Sequence, residues 1–312
     1  MSATDTIQYA TMISSVPSCN AGPDTPVFGA TQFTGRIRLA QNLLSRCLRR
    51  QSILLYGGPK LGKTSVLLQL KWLVDQARQA HAATPPALYL DLSDGAVREE
   101  FLLKRRTTPA PLLLLDNCEH LVKGHDVDTL REFIDGDALA HAVVWAGARS
   151  WHDSVRTAAW SADLQRVPLA VLLEGEAREL VRALAPNQIT AALAAGGTHP
   201  YVLKVLAHHL SAVPEDALRA IPAATERLVP FFQACRKALA QETEKTLLTY
   251  LVQEGRPVPP REAAVAVGLP TIKAAADALC CIGLISRWNL NEGAMLQANC
   301  RLFNDWHRAT AR

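Results

Sequence analysis

The stretch Gly57-Gly58-Pro59-Lys60-Leu61-Gly62-Lys63-Thr64 constrains this chain more than any other. Its spacing is GxxxxGK[ST]. An apolar run, Ser52 to Tyr56, precedes it, and a helical pattern follows to about Gln79. That strand–turn–helix context separates the motif from a chance glycine-rich turn. Glycines let the backbone N–H groups curl around oxyanions, and the start of a helix adds partial positive charge. The turn is therefore built to cradle phosphate, with Lys63 reaching the outer phosphates. The Thr64 hydroxyl is a candidate ligand for Mg²⁺.

The rest of the first half agrees with this turn. Ile37 to Leu48 reads as a helix. Ala87–Leu92, Pro111–Leu115, Ala142–Gly147 and Arg166–Leu169 read as strands separated by helical segments. Such alternation indicates an α/β fold with a parallel sheet. The run Leu112 to Leu115 suits a strand covered on both faces. Asp116, at its end, is the candidate second Mg²⁺ carboxylate, acting through water. Asn117 stands where a fast ATPase often has a water-activating Glu, so slow hydrolysis is expected. Two readings of Glu119 stand side by side: it approaches the terminal phosphate from the following turn, or it faces solvent. His120 and His199 have no second ligand at a useful spacing, so no zinc site is expected.

Beyond residue 170 the pattern turns helical. Glu174 to Leu210 is rich in Ala and Leu, and a second helical stretch, with breaks expected at Pro214, Pro222 and Pro230, carries on to about Ala240. Then come three short helices, Glu244–Glu254, Pro259–Val267 and Pro270–Cys281. Two strands, Leu284–Asn289 and Ala294–Ala298, flank a turn, and a last helix holds Phe303 and Trp306. This is the outline of a winged helix-turn-helix. The first 30 residues carry only Asp5 and Asp24 as charges and no sustained periodicity. They read as a flexible or loosely docked lead-in. The expected divisions are 1–30, a nucleotide-binding region 31–170, a helical lid 171–240 and a winged helix 241–312.

Composition narrows the function classes. Hydrophobic residues make up 49% and charged residues 20% of the 312, which excludes a disordered or low-complexity chain. The net charge of +4 neither demands nor excludes nucleic acid. The seven cysteines form no CxxC pair, so buried thiols in a reducing, cytoplasmic setting are expected. The first residues lack the basic and apolar regions of a signal peptide, and no run is long enough to span a membrane. The second helix of the helix-turn-helix offers Thr271 and Lys273 and little else to read a base edge.

Short motifs fall in a fixed order. They are Phe33-Thr34-Gly35-Arg36, the phosphate loop continuing into Ser65, Leu112 to His120, Val144 to Arg149, Gly196-Gly197-Thr198-His199-Pro200-Tyr201, and Leu302-Phe303-Asn304-Asp305-Trp306. From about residue 33 to 308, this series resembles the STAND class of signal-transduction ATPases. Within that class it is similar to the archaeal-type, AAA+/NACHT-related branch with a C-terminal winged helix. The resemblance implies a P-loop parallel sheet, a helical lid and a winged helix. It implies ATP or ADP with Mg²⁺ at residues Gly57 to Ser65. Arg36 resembles an arginine near the adenine side, Arg149 a sensor of the γ-phosphate, and Pro200 a lid proline touching nucleotide. In such proteins ADP holds a closed monomer and ATP releases an oligomerising form that controls a partner or effector protein. The chain departs from the class in carrying no repeat sensor or effector region, and in Asn117. The alternative is an AAA+-like ATPase acting on DNA through its winged helix. Against it, the lid motif carries no arginine, and Lys204 is its nearest cation.

Overall fold

The computed structural model describes residues 22–30, 32–103, 111–122, 142–156, 159–212, 217–290 and 293–310. Helix α1 (Ile37–Leu48) leads into strand β1 (Ile53–Tyr56), and the phosphate loop joins β1 to α2 (Lys63–Ala80). Strands β2 (Ala87–Asp91), β3 (Leu112–Asp116), β4 (Ala142–Gly147) and β5 (Gln165–Pro168) complete a parallel sheet ordered β2-β3-β4-β1-β5. Asp91 pairs in register with Asp116, and Tyr56 with Gly147 and Pro168. The carboxyl ends of the strands therefore share one edge, where open α/β sheets bind ligands.

The leucine run is explained by burial on both faces. Leu112 and Leu114 join Ile53, Leu55, Val66 and Leu70 in one apolar cluster. Leu113 and Leu115 join Leu54, Trp145 and Trp151 in another. Alternate side chains of a strand point to opposite faces, so a strand covered twice carries an unbroken apolar sequence.

The helical region contains α3 (Glu174–Leu180), α4 (Pro186–Gly196), α5 (Pro200–Ala212) and α6 (Ala217–Lys237). Breaks at Pro222 and Pro230 are not found: α6 runs through both. Its buried residues Ala224, Leu228, Phe231 and Cys235 form one stripe, while both prolines are exposed on other faces. The backbone carbonyls left without an N–H partner can be hydrated there, and apolar packing carries the helix on. Pro214 lies outside the described residues.

Three helices follow, α7 (Glu242–Glu254), α8 (Pro260–Ala266) and α9 (Lys273–Ile282). The third begins at Lys273 rather than Pro270; the Thr271 hydroxyl accepts the Lys273 N–H at 3.3 Å in the preceding turn. An antiparallel hairpin, β6 (Ile285–Leu290) and β7 (Gly293–Ala298), precedes the final helix α10 (Arg301–Thr310). These elements share one core with α3 to α6, with Phe232 packed edge-on to Phe303 at 5.5 Å between ring centres. Cys47, Cys118, Cys235, Cys281 and Cys300 are buried free thiols. Among the described residues no helix is long and apolar enough to cross a membrane.

Candidate functional site

A cavity of about 770 Å³ opens at the carboxyl edge of the sheet. Gly57 to Lys60 and Gly62 to Ser65 line it, together with Arg36, Asn117, Glu119, Arg149 and Pro200. Leu61 of the loop is fully buried beneath it. Asp116 reaches the same edge through its bond to Thr64.

The loop takes its shape from two left-handed residues, Lys60 at φ 56° and Gly62 at φ 93°. Lys63 donates to the Gly57 carbonyl at 3.1 Å and the Gly58 carbonyl at 2.9 Å. Burial lowers its pKa, while Glu119 and Asp116 push back by favouring the ammonium. The Thr64 hydroxyl donates to Asp116 Oδ2 at 2.6 Å. Two hard oxygen donors thus stand side by side, a pair that suits Mg²⁺. Tyr89 also donates to Asp116 Oδ2, at 3.1 Å, and burial raises the Asp116 pKa against these hydrogen bonds.

Asn117 adopts a left-handed backbone, φ 56°, and its side-chain amide donates to Asp91 at 2.8 Å. Glu119 lies on the cavity wall, its Oε2 accepting the Ala148 N–H at 2.9 Å. Arg149 opens the short helix Arg149–Val155 after β4 and is half enclosed; its partners are Asp153 and Glu244.

Arg36 is a brace. Its guanidinium donates to the carbonyls of Leu61 and Ala170, and its backbone N–H to Glu176 Oε1 at 2.7 Å. One residue so ties the loop, the exit of β5 and α3 together. Burial pulls its pKa down to about 10, and Glu176 opposes that shift.

Sequence reasoning missed two groups here. Residues 22–30 are docked rather than loose, and Pro23 to Val27 line the cavity with Phe33, Leu172 and Leu180. Asp24 holds this strap: it accepts from Tyr201 and Arg227, each at 2.8 Å, and meets Lys60 at 3.4 Å. Arg227 and Tyr201 hold its carboxyl down at a pKa of about 2. Lys204 lines the cavity and donates to the Thr25 carbonyl at 2.7 Å. Lys237, at the end of α6, is the second group, and it lines the cavity as well. The C-terminal region also reaches the loop. The Gly58 N–H donates to the Cys281 carbonyl at 2.8 Å, and a Cβ on Gly283 would lie 2.9 Å from Leu61.

His199 sits where the loop, helices α5 and α6 and the C-terminal helices meet. It is buried, 4.8 Å from the Phe231 ring centre, and neither ring nitrogen has a hydrogen-bond partner among the described residues. Burial and the Arg36 charge lower its pKa from 6.5 to about 3. The unfolded chain therefore takes up this proton as pH falls below about 6.5, and the folded chain does not until about 3. Stability is lost over that window, by on the order of 3 kcal/mol at pH 4. A His199→Met variant is expected to flatten the fall of melting temperature between pH 6.5 and 4. An unchanged slope would show that other groups set it.

No protein-family model matches this sequence, and no curated protein matches it. Solved structures do. A Walker-type ATPase of Pyrococcus abyssi superposes with a TM-score of 0.59 at 12% identity, over 91% of this chain and 99% of that one. The ORC2 protein of Aeropyrum pernix, solved as ADPNP and ADP complexes, gives 0.54 at 11% identity, over 94% and 97%. The five-stranded parallel sheet, its helices and the loop after β1 give this chain the α/β fold of the P-loop NTPases.

Proposed function

We propose that this chain is a nucleotide-operated switch of the STAND type. It binds ATP or ADP with Mg²⁺, hydrolyses slowly, and changes conformation or oligomerises to control a protein partner in the cytoplasm. The observation that carries this reading is the direct bond from the phosphate loop to the C-terminal helices, Gly58 N–H to Cys281 carbonyl at 2.8 Å. A change at the phosphates is thereby felt in a part of the chain more than 200 residues away. The nucleotides of the Aeropyrum protein and the Walker-type fold support the choice of ligand.

The roles follow from position. Lys63 and the loop from Gly57 to Ser65 hold the phosphates. Thr64, and Asp116 through water, hold Mg²⁺, which when bound neutralises charge developing on the phosphate oxygens. Glu119 is the carboxylate available to orient water, since Asn117 is turned toward Asp91. Arg149 attends the terminal phosphate, Arg36 shapes the loop, and Pro200 and the strap close the base side. The working divisions are a core of 31–170, a lid of 171–240 and a winged helix of 241–312, with residues 22–30 belonging to the pocket.

A protein partner is preferred to DNA. Helix α9 exposes Lys273, Ala274 and Asp277, and Asp277 already holds Arg287 at 2.8 Å. That leaves little to read base edges or clamp phosphates. Light scattering after size exclusion tests the switch. A mass change is expected with a non-hydrolysable ATP analogue and not with ADP. An unchanged mass together with sub-micromolar, steeply salt-dependent binding of duplex DNA would move the reading to the DNA-acting alternative.

A further inference from the structure

Arg149 is held from the far end of the chain. Its Nη2 donates to Glu244 Oε1 at 2.6 Å, and its Nε lies 3.3 Å from Asp153. Glu244 is only 1% exposed, and its other oxygen accepts the Ala240 N–H at 3.0 Å. Arg149, Lys237 and Ala240 all line the nucleotide cavity. The ion pair therefore joins the cavity wall to the first turn of α7, at the point where the lid passes into the C-terminal helices.

A buried carboxylate that loses its cation is strongly destabilised. The guanidinium presents donors in one plane and binds carboxylate and phosphate with the same fork. The Nη1 of Arg149 is buried and has no hydrogen-bond partner among the described residues, so a terminal phosphate that takes the end-on fork binds Nη1 and competes with Glu244 for Nη2.

We propose that Glu244 competes with the terminal phosphate of a bound nucleoside triphosphate for Arg149. Glu244 is then the positioning residue that sets the pocket's preference between diphosphate and triphosphate. It also reports the difference to the C-terminal helices. The inference rests on the nucleotide-binding reading above. With a diphosphate the pair stays whole. With a triphosphate, Arg149 is drawn to phosphate, Glu244 loses its counter-charge, and the start of α7 is released. By linkage the coupling runs both ways: whatever loosens α7 tightens triphosphate binding.

The test is calorimetry on the full chain with ADP and with a non-hydrolysable ATP analogue, comparing wild type with Glu244→Gln. Glutamine keeps the size and an acceptor for the Ala240 N–H but removes the charge. Affinity for the analogue is expected to rise about tenfold, with ADP changed less than twofold. Equal shifts for both ligands, or none, would overturn the proposal. A wild-type chain that binds neither ligand would overturn the nucleotide reading itself, and this proposal with it. Hydrogen exchange on the wild type gives a second route should the variant fail to fold. The analogue, and not ADP, is expected to speed exchange at the Ala240 amide, and equal protection with both ligands would sink the idea.

Discussion

Replacing Lys63 by alanine is expected to weaken ATP binding by about a hundredfold and to remove any nucleotide-dependent change in mass. The size follows from the bond type. A hydrogen bond from an ionised donor contributes about 1.5–3 kcal/mol, and a half-buried ammonium facing several phosphate oxygens sits at the upper end. Near 3 kcal/mol, this is about two decades in affinity. Lys63 is the half-buried cation of the loop, its charge sustained by Glu119 and Asp116 against the cost of desolvation. Its loss also removes one of the influences that keep Asp116 ionised. The Mg²⁺ pair Thr64–Asp116 is then weakened as well. Titration calorimetry with ATP and Mg²⁺ measures the effect. Affinity within threefold of wild type would mean that residues 57–65 do not hold the phosphates.

The parts of this site that were legible in the sequence are those fixed by neighbours along the chain. The loop needs its glycines, lysine and threonine within eight residues, and Asp116 ends an apolar run whose double burial is written into four leucines. Arg36 was legible as a site residue, though not as a brace, because its acceptors are the carbonyls of Leu61 and Ala170, which any residue supplies. Lys237 was hidden by Pro230. Helix rules end a segment at an internal proline, yet the stripe of Ala224, Leu228, Phe231 and Cys235 carries α6 past it to the cavity. The strap was hidden differently. Residues 22–30 have no periodicity of their own, and Asp24 finds partners 36, 177 and 203 residues away. The Arg149–Glu244 pair spans 95 residues and joins two regions that local patterning treats separately.

Gly58→Ala is expected to separate the C-terminal helices from the phosphate loop without spoiling the loop. An ideal Cβ at residue 58 would lie 2.4 Å from the Ile282 carbonyl oxygen, 2.7 Å from its Cα and 2.8 Å from its carbonyl carbon. These are backbone atoms at the end of α9, so no side chain can rotate out of the way. Gly58 itself is not among the positive-φ residues, so its own conformation accepts alanine. The end of α9 must move instead, and the bond from the Gly58 N–H to the Cys281 carbonyl breaks. Gly283 follows at φ 87°, packed against Leu61, His199 and Val171, so the displacement reaches the centre of the junction. Overpacking of this kind costs about 1–3 kcal/mol, which lowers the melting temperature by roughly 2–5 °C in a chain of this size. If the contact is the latch of the switch, the variant with ADP bound takes on the mass and protease sensitivity that the wild type shows only with the ATP analogue. A variant that melts lower but keeps the ADP-bound mass would make the contact a structural seam and shift the switching role to the Arg149–Glu244 pair. A variant identical to wild type in both would mean that the C-terminal helices are not held by the loop in solution.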